Sequence, residues 1–222
     1  MDIQQMNFFE QLLHYYQVNG GYMWQQFTRH FLISVYGVLF ATLIGIPIGI
    51  WIAHHKKARP YVMGLANLIQ TIPALAMVSI LMLAFGLGVT TVIVANFLYA
   101  LLPVIANTYT GISSINPDVL DAAKGIGMSR WQRLLQVELP LSLSVMMAGV
   151  RNALVLSIGV SAIGTFIGAG GLGDIISRGV NATGGGSIIL AGALPTALMA
   201  VLADFILGRV EKFLLKKVSH AE

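Results

Sequence analysis

Asp121-Ala122-Ala123, Gly127 and Leu139-Pro140 lie in the one sizeable stretch that carries both charge signs between long apolar runs. Small alanines permit close approach of a partner, an acid accepts hydrogen bonds from a basic or amide group, and glycine lets the chain turn. That combination suits a docking surface. Arg151 stands inside an apolar run and Asp204 is the one acid inside another, which makes the two candidates for an ion pair. Other candidate chemistries are weaker. His54 and His55 are adjacent, so on a helix they point apart, and Lys56 and Lys57 repel a cation; a solvated basic turn is favoured over a metal site. Gly168-Ala169-Gly170-Gly171-Leu172-Gly173 has the spacing G-x-G-x-x-G but follows an apolar span, not a strand, which removes the dinucleotide reading. No H-E-x-x-H, G-x-S-x-G or G-x-x-x-x-G-K-[ST] occurs, so a zinc protease, a hydrolase elbow and a phosphate cradle are all unsupported.

The elements that must position these residues are membrane helices. Of 222 residues, 56% are hydrophobic and 10% charged, against about 25% charged in globular proteins. Residues 60–117, 58 in all, contain no Asp, Glu, Lys or Arg, enough for two crossings at roughly 20 residues each. The expected fold is all-α, a polytopic bundle of five transmembrane helices over Phe31–Ala53, Tyr61–Phe85, Val89–Tyr109, Leu141–Ile167 and Ile188–Leu207. Residues 1–27, rich in aromatic side chains, read as a short interfacial helix. The absence of Cys excludes disulfides and thiolate metal sites.

Within the spans, Gly37, Ala41, Gly45 and Gly49 recur at every fourth position, as do Gly149, Ala153, Ser157 and Ser161; each set forms a stripe on which another backbone can pack closely. Gln70, Thr71, Asn96 and Asn107 are polar groups at membrane depth, so they face protein or water, as interhelical bonds or as the lining of a path. Arg151, Ser157 and Ser161 join them as candidates for path or bundle interior. In the charged island, Asn116-Pro117-Asp118 starts a helix to about Lys124, Gly125 and Gly127 interrupt it, and Ser129 caps a second helix through about Val137 that stops before Pro140.

Five spans with the N-terminus outside place ten of the thirteen Lys and Arg residues in the cytoplasm, from Lys56, Lys57 and Arg59 through Lys124, Arg130 and Arg133 to Arg209, Lys212, Lys216 and Lys217. The excess of basic residues inside fixes this orientation, with the C-terminus in the cytoplasm. The charged island falls on the same side.

Asp121-Ala122-Ala123, three residues, Gly127, nine residues, then Val137-Glu138-Leu139-Pro140 resembles the cytoplasmic loop of ABC importer permeases, E-A-A, three residues, G, nine residues, I-x-L-P. Asp replaces Glu and Val replaces Ile. The resemblance implies a type I importer permease core over residues 28–210, a coupling loop over 113–138 and a cytoplasmic tail over 211–222. It assigns ATPase coupling to Asp121, Ala122, Ala123, Gly127, Leu139 and Pro140. It further implies two ATP-binding subunits that hold ATP and Mg, with no cofactor in this chain, and a second permease chain, identical or paralogous. An extracytoplasmic substrate-binding protein completes the set, in the bacterial cell membrane. Leu68–Ala76, Tyr99–Pro103, Asn107–Ile112 and Ala123–Met128 look like the permeases for glycine betaine, carnitine and choline. The glycine-rich segment from Gly168 resembles the external loop of small amino-acid and osmoprotectant importers. Relatives of the same type handle solutes such as ergothioneine or amino acids. An ion-coupled carrier fits less well, because it normally places carboxylates in mid-membrane and shows an inverted repeat.

Overall fold

The first helix begins at a reciprocal cap. In the computed structural model, which describes residues 6–219, Asn7 Oδ1 accepts from the Glu10 amide at 3.0 Å and the Glu10 carboxylate accepts from the Asn7 amide at 2.9 Å. From there α1 runs unbroken from Phe8 to His54, a length of ~70 Å. The expected separate interfacial helix is therefore the first part of the same helix, and residues 1–5 of that segment lie outside the described residues. Gly20 and Gly21 cost roughly 1 kcal/mol each in helix propensity, but neither removes a hydrogen bond. Packing of this part against the C-terminal elements holds it helical.

Two proline positions correct the expected spans. Residues 61–85 form two helices, α2 (Arg59–Thr71) and α3 (Ala74–Phe85), bent by 99°. Pro73 has no amide hydrogen and pushes Ile72 out of the helical region, to φ −70° and ψ 125°. After α4 (Val89–Ser113), the short helices α5 (Pro117–Gly125) and α6 (Arg130–Arg133) lead into a π-helical turn, Leu134–Glu138, and α7 (Leu139–Ile163). The second island helix does not stop before Pro140. The missing proline amide leaves the Gln136 carbonyl without its helical donor, and the π turn, where the Leu139 amide donates to Leu134 O, opens the backbone there. Pro140 thus falls in the first turn of α7, and residues 130–167 form one continuous rod. A 3₁₀ turn (Gly164–Ile167), α8 (Leu172–Val180) and α9 (Gly186–Ser219) complete the chain.

Every regular element among the described residues is helical. Four helical stretches are long and apolar enough to cross a membrane, 8–54, 89–113, 130–167 and 186–216, and the bent α2–α3 pair makes a fifth if counted as one span. α4 runs through the middle, clasped by the two small-residue stripes. A Cβ at Gly45 would stand 2.9 Å from Val104 Cγ1, at Gly49 2.6 Å from Thr108 Cβ, and at Gly149 2.6 Å from Asn107 Cβ. Backbones are in contact along both seams, α1 on α4 and α7 on α4. Ala41 and Ala153 are fully buried in them. One apolar core gathers Val38, Val104, Leu154, Ile158 and Met199, and a second gathers Ile33, Val78, Val92, Val160 and Ile167 under the bent pair.

Proline inside a span frees a carbonyl that lipid cannot satisfy. Pro103 in α4 frees Tyr99 O, which accepts from Gln70 Nε2 at 2.8 Å. Pro195 in α9 frees Ala191 O, which accepts from Tyr16 Oη at 3.3 Å. The side chains doing this come from α2 and from the early part of α1, so the repairs also fasten those elements to the bundle.

Candidate coupling surface and bundle interior

α5 is built by its caps. Asn116 Oδ1 accepts from the Asp118 amide at 3.0 Å and Pro117 occupies the first turn, where its missing amide costs nothing. The exit needs glycine: Gly127 has φ +83°, a conformation that a side chain disfavours, and the turn closes with the Met128 amide on Ala123 O at 3.1 Å. Ser129 then starts α6 through a second reciprocal cap with Gln132. Helix, glycine turn and capped helix together present Asp121, Ala122 and Gly127 to solvent, with Ile126 77% and Trp131 73% exposed. Ala123 is turned inward and buried, and Leu139 and Pro140 are half-buried at the root of α7. Lys124 Nζ donates to Asp121 Oδ1 at 2.7 Å, and this ammonium holds the Asp121 carboxyl below its ordinary value, so it stays ionised at neutral pH.

The polar candidates within the spans fall into different places. Asn96, Ser157 and Ser161 are buried inside the single chain, where Asn96 Nδ2 donates to Ser161 Oγ at 2.7 Å and Ser161 Oγ meets Ser34 Oγ at 2.8 Å. Gln70 is spent on Tyr99 O, and Tyr99 Oη in turn donates to Ile72 O at the break between α2 and α3. Asn107 is half-buried and donates to Pro103 O of its own helix at 2.8 Å. Thr71, at the bend, is exposed, its hydroxyl bonded back to Leu68 O. The structure thus brings Asn96, Ser157 and Ser161 together between α1, α4 and α7, and leaves Gln70, Thr71 and Asn107 apart from them.

Arg151 meets Asp204 in a bidentate pair, Nε to Oδ1 and Nη2 to Oδ2, both at 2.9 Å. A third partner was not foreseen: Glu211 Oε2 accepts from Nη1 at 3.2 Å while its other oxygen accepts from Ser144. Glu211 is seven residues, two turns, beyond Asp204, so its placement on the same helical face was available in the sequence.

The glycine-rich segment is held by residues the sequence reading passed over. Gln26 Oε1 accepts from the Gly171 amide at 2.7 Å, and His30 Nδ1 accepts from the Leu172 amide at 3.2 Å. His30 Nε2 lies 2.8 Å from Ile158 O, which it must donate to, so the buried ring bridges three elements. Gln26 and His30 are four apart, and that polar spacing at the edge of an apolar span was a usable signal. Nearby, Tyr22 Oη and Arg178 Nε both donate to Asp174.

Residues 45–216 match the family described as binding-protein-dependent transport system inner membrane component. The chain belongs to this family. Consistent with that, it is 60% identical over 209 residues, covering 94% of this chain and 91% of the relative, to the glycine betaine/carnitine/choline transport system permease protein OpuCD of Bacillus subtilis. It is 58% identical, covering 94% of both chains, to the carnitine transport permease protein OpuCD of Listeria monocytogenes. Among solved structures, the fold is that of a chain of the MetNI methionine ABC transporter in an inward-facing conformation, with TM-score 0.77 over 86% of this chain and 95% of that one at 19% identity. As a member of the inner-membrane-component family with several long apolar helices, the protein is a multi-pass component of the cytoplasmic membrane.

Proposed function

We propose that this chain is the permease subunit of an ATP-driven importer and forms the path for a quaternary ammonium solute, glycine betaine, carnitine or choline. The observation that carries the substrate class is the 58–60% identity, over nearly the whole chain, to permeases named for those solutes. An extracytoplasmic binding protein delivers the solute, two ATP-binding subunits hold ATP and Mg, and a second permease chain completes the path. The N-terminus is outside and the C-terminus inside, so that α5 and α6 face the ATPases. What supports their coupling role is exposure: the isolated chain leaves Ile126, Trp131 and the Asp121 carboxylate uncovered on two short helices that are too small to be stable alone. Asp121, Ala122, Gly127 and Trp131 make the contact, while Ala123, Leu139 and Pro140 set the shape behind it. In the interior, Asn96, Arg151 and Ser161 hold the bundle together, as does Gln70, while Asn107 bonds within its own helix and Ser157 is packed among them. Thr71, exposed where a span is broken, is the candidate to meet the path.

The test is uptake. The chain is purified with its ATPase subunits, a second permease and the binding protein, reconstituted, and offered labelled glycine betaine, carnitine, choline, ergothioneine and an amino acid. ATP-dependent uptake of one of the first three is expected; transport confined to the last two would overturn the substrate class. A single cysteine placed at Ser129, in a chain that has none, should react with a reagent supplied from the cytoplasmic side alone.

A further inference from the structure

We infer that Glu138 is a positioning residue of the transport cycle, fastening the second coupling helix to the cytoplasmic end of α1 so that loop movement also reaches a span that the loop does not join. This rests on the reading of α5–α6 as the ATPase-docking loop. The motif I-x-L-P leaves the position of Glu138 unspecified, yet Glu138 is 2% exposed and is the one acid between Asp121 and Asp174. Its Oε1 accepts from Arg133 Nε of α6 at 2.8 Å. Its Oε2 stands 2.9 Å from His54 Nε2, in the last turn of α1, and the other nitrogen of that ring is 2.9 Å from Ile50 O one turn back. Three elements, α6, the π turn and α1, therefore meet on one carboxylate.

The geometry favours transmission over simple stability. The His54 contact has ion-pair distance but not the angle of an aligned hydrogen bond, and Oε2 is left buried without a proper donor. A buried carboxylate so poorly matched stabilises a fold less well than an apolar side chain of similar size. Its use lies in what it connects. Without it, a displaced loop pulls only on the two spans it joins, α4 through residues 114–116 and α7 through the continuous rod 130–167. With it, the end of α1 moves as well. α1 closes on the α4 backbone at Gly37 and Gly49, where an added Cβ would stand 3.1 Å from Phe97 N and 3.0 Å from Ile105 O, and α7 does so at Gly149, 2.7 Å from Pro103 O. Seams that dense have no slack, so the three helices shift together.

Two readouts on the assembled transporter test this. In proteoliposomes with glycine betaine, carnitine and choline offered together, Glu138→Ala should keep the ATPase bound and hydrolysing while solute moved per ATP falls at least about fivefold, the lower end of ordinary coupling effects. His54→Ala should fall less, the double variant no further than Glu138→Ala, and Glu138→Gln, which retains an acceptor for Arg133, should recover most of the ratio. Independently of any solute, spin labels at His55→Cys and at Arg130→Cys on α6 itself should keep one separation with and without trapped ATP, and should change separation with nucleotide once Glu138→Ala is added. An unchanged transport ratio, or labels that move apart with ATP equally in both backgrounds, would overturn the proposal. So would a parallel loss of ATPase binding and hydrolysis, which marks a residue that merely folds the loop. If Glu138→Ala fails to accumulate, the same two readouts on His54→Ala decide. Failure of the underlying reading looks different: the ATPase would stay bound to a Gly127→Arg variant.

Discussion

The seams around α4 and the loop α5–α6 use the same small residues for opposite ends. At Gly45, Gly49 and Gly149, glycine removes side chain so that another helix can occupy the space, and an added Cβ would collide with the side chains of Val104, Thr108 or Asn107. At Gly125 and Gly127 nothing lies within reach of an added Cβ; Gly127 is required by its φ of +83° and by the room it leaves open on the surface. One set of glycines is consumed by the fold and the other lies open at the surface. Exposure follows the same division, with Ala41 and Ala153 fully buried and Ile126 and Trp131 uncovered.

The comparison breaks most readily at the seam. Gly49→Leu forces atoms into the Thr108 side chain and should cost about 3 kcal/mol or more, seen as loss of a monodisperse species in detergent and of the thermal transition. Gly127→Arg, or deletion of 121–127, should leave that transition in place and abolish co-purification of the ATPase; intact co-purification would erase the distinction between the two regions. A smaller effect is expected from Arg151. Replacing either Arg151 or Asp204 alone should lower thermal stability, and the exchange Arg151→Asp with Asp204→Arg should rescue part of the loss. It restores only part because the new acid at 151 then faces Glu211. Losses that simply add would mean the pair is not coupled. Smallest is Gln70→Leu, which orphans the Tyr99 carbonyl freed by Pro103 and should cost roughly 1–3 kcal/mol in unfolding, without changing ATPase binding.

Much of this was readable from spacing. Two glycine-and-small-residue stripes identified both faces that clasp α4, because a period of four residues places side chains on one side of a helix whatever surrounds it. Asn116 and Ser129 announced the starts of α5 and α6, since their side chains satisfy amides a few residues away, and such contacts need no tertiary structure. Arg151 pointed to Asp204 because a charge within a span has few possible partners. The places where expectation and structure diverge are those where a proline's effect depended on its surroundings. Pro73 breaks its span, Pro103 and Pro195 do not, and Pro140 is absorbed by a π turn. At Pro103 and Pro195 a neighbouring side chain, Gln70 or Tyr16, takes up the vacated carbonyl, and at Pro140 an extra backbone residue opens the turn; Pro47 is accommodated inside α1.

By itself, then, the order of residues determined a membrane bundle, its packing faces and the helix–glycine–helix loop, because hydropathy, helical period and capping act over a few residues at a time. Only the tertiary structure decided that 8–27 extends α1, that 72–73 bends by 99°, that His30 and Gln26 grip the glycine-rich segment, and that Glu138 meets both His54 and Arg133. The grips of Gln26 and His30 on the glycine-rich segment and of His54 on Glu138 join residues far apart in the chain, and no local preference can specify which distant group will arrive to complete such a contact.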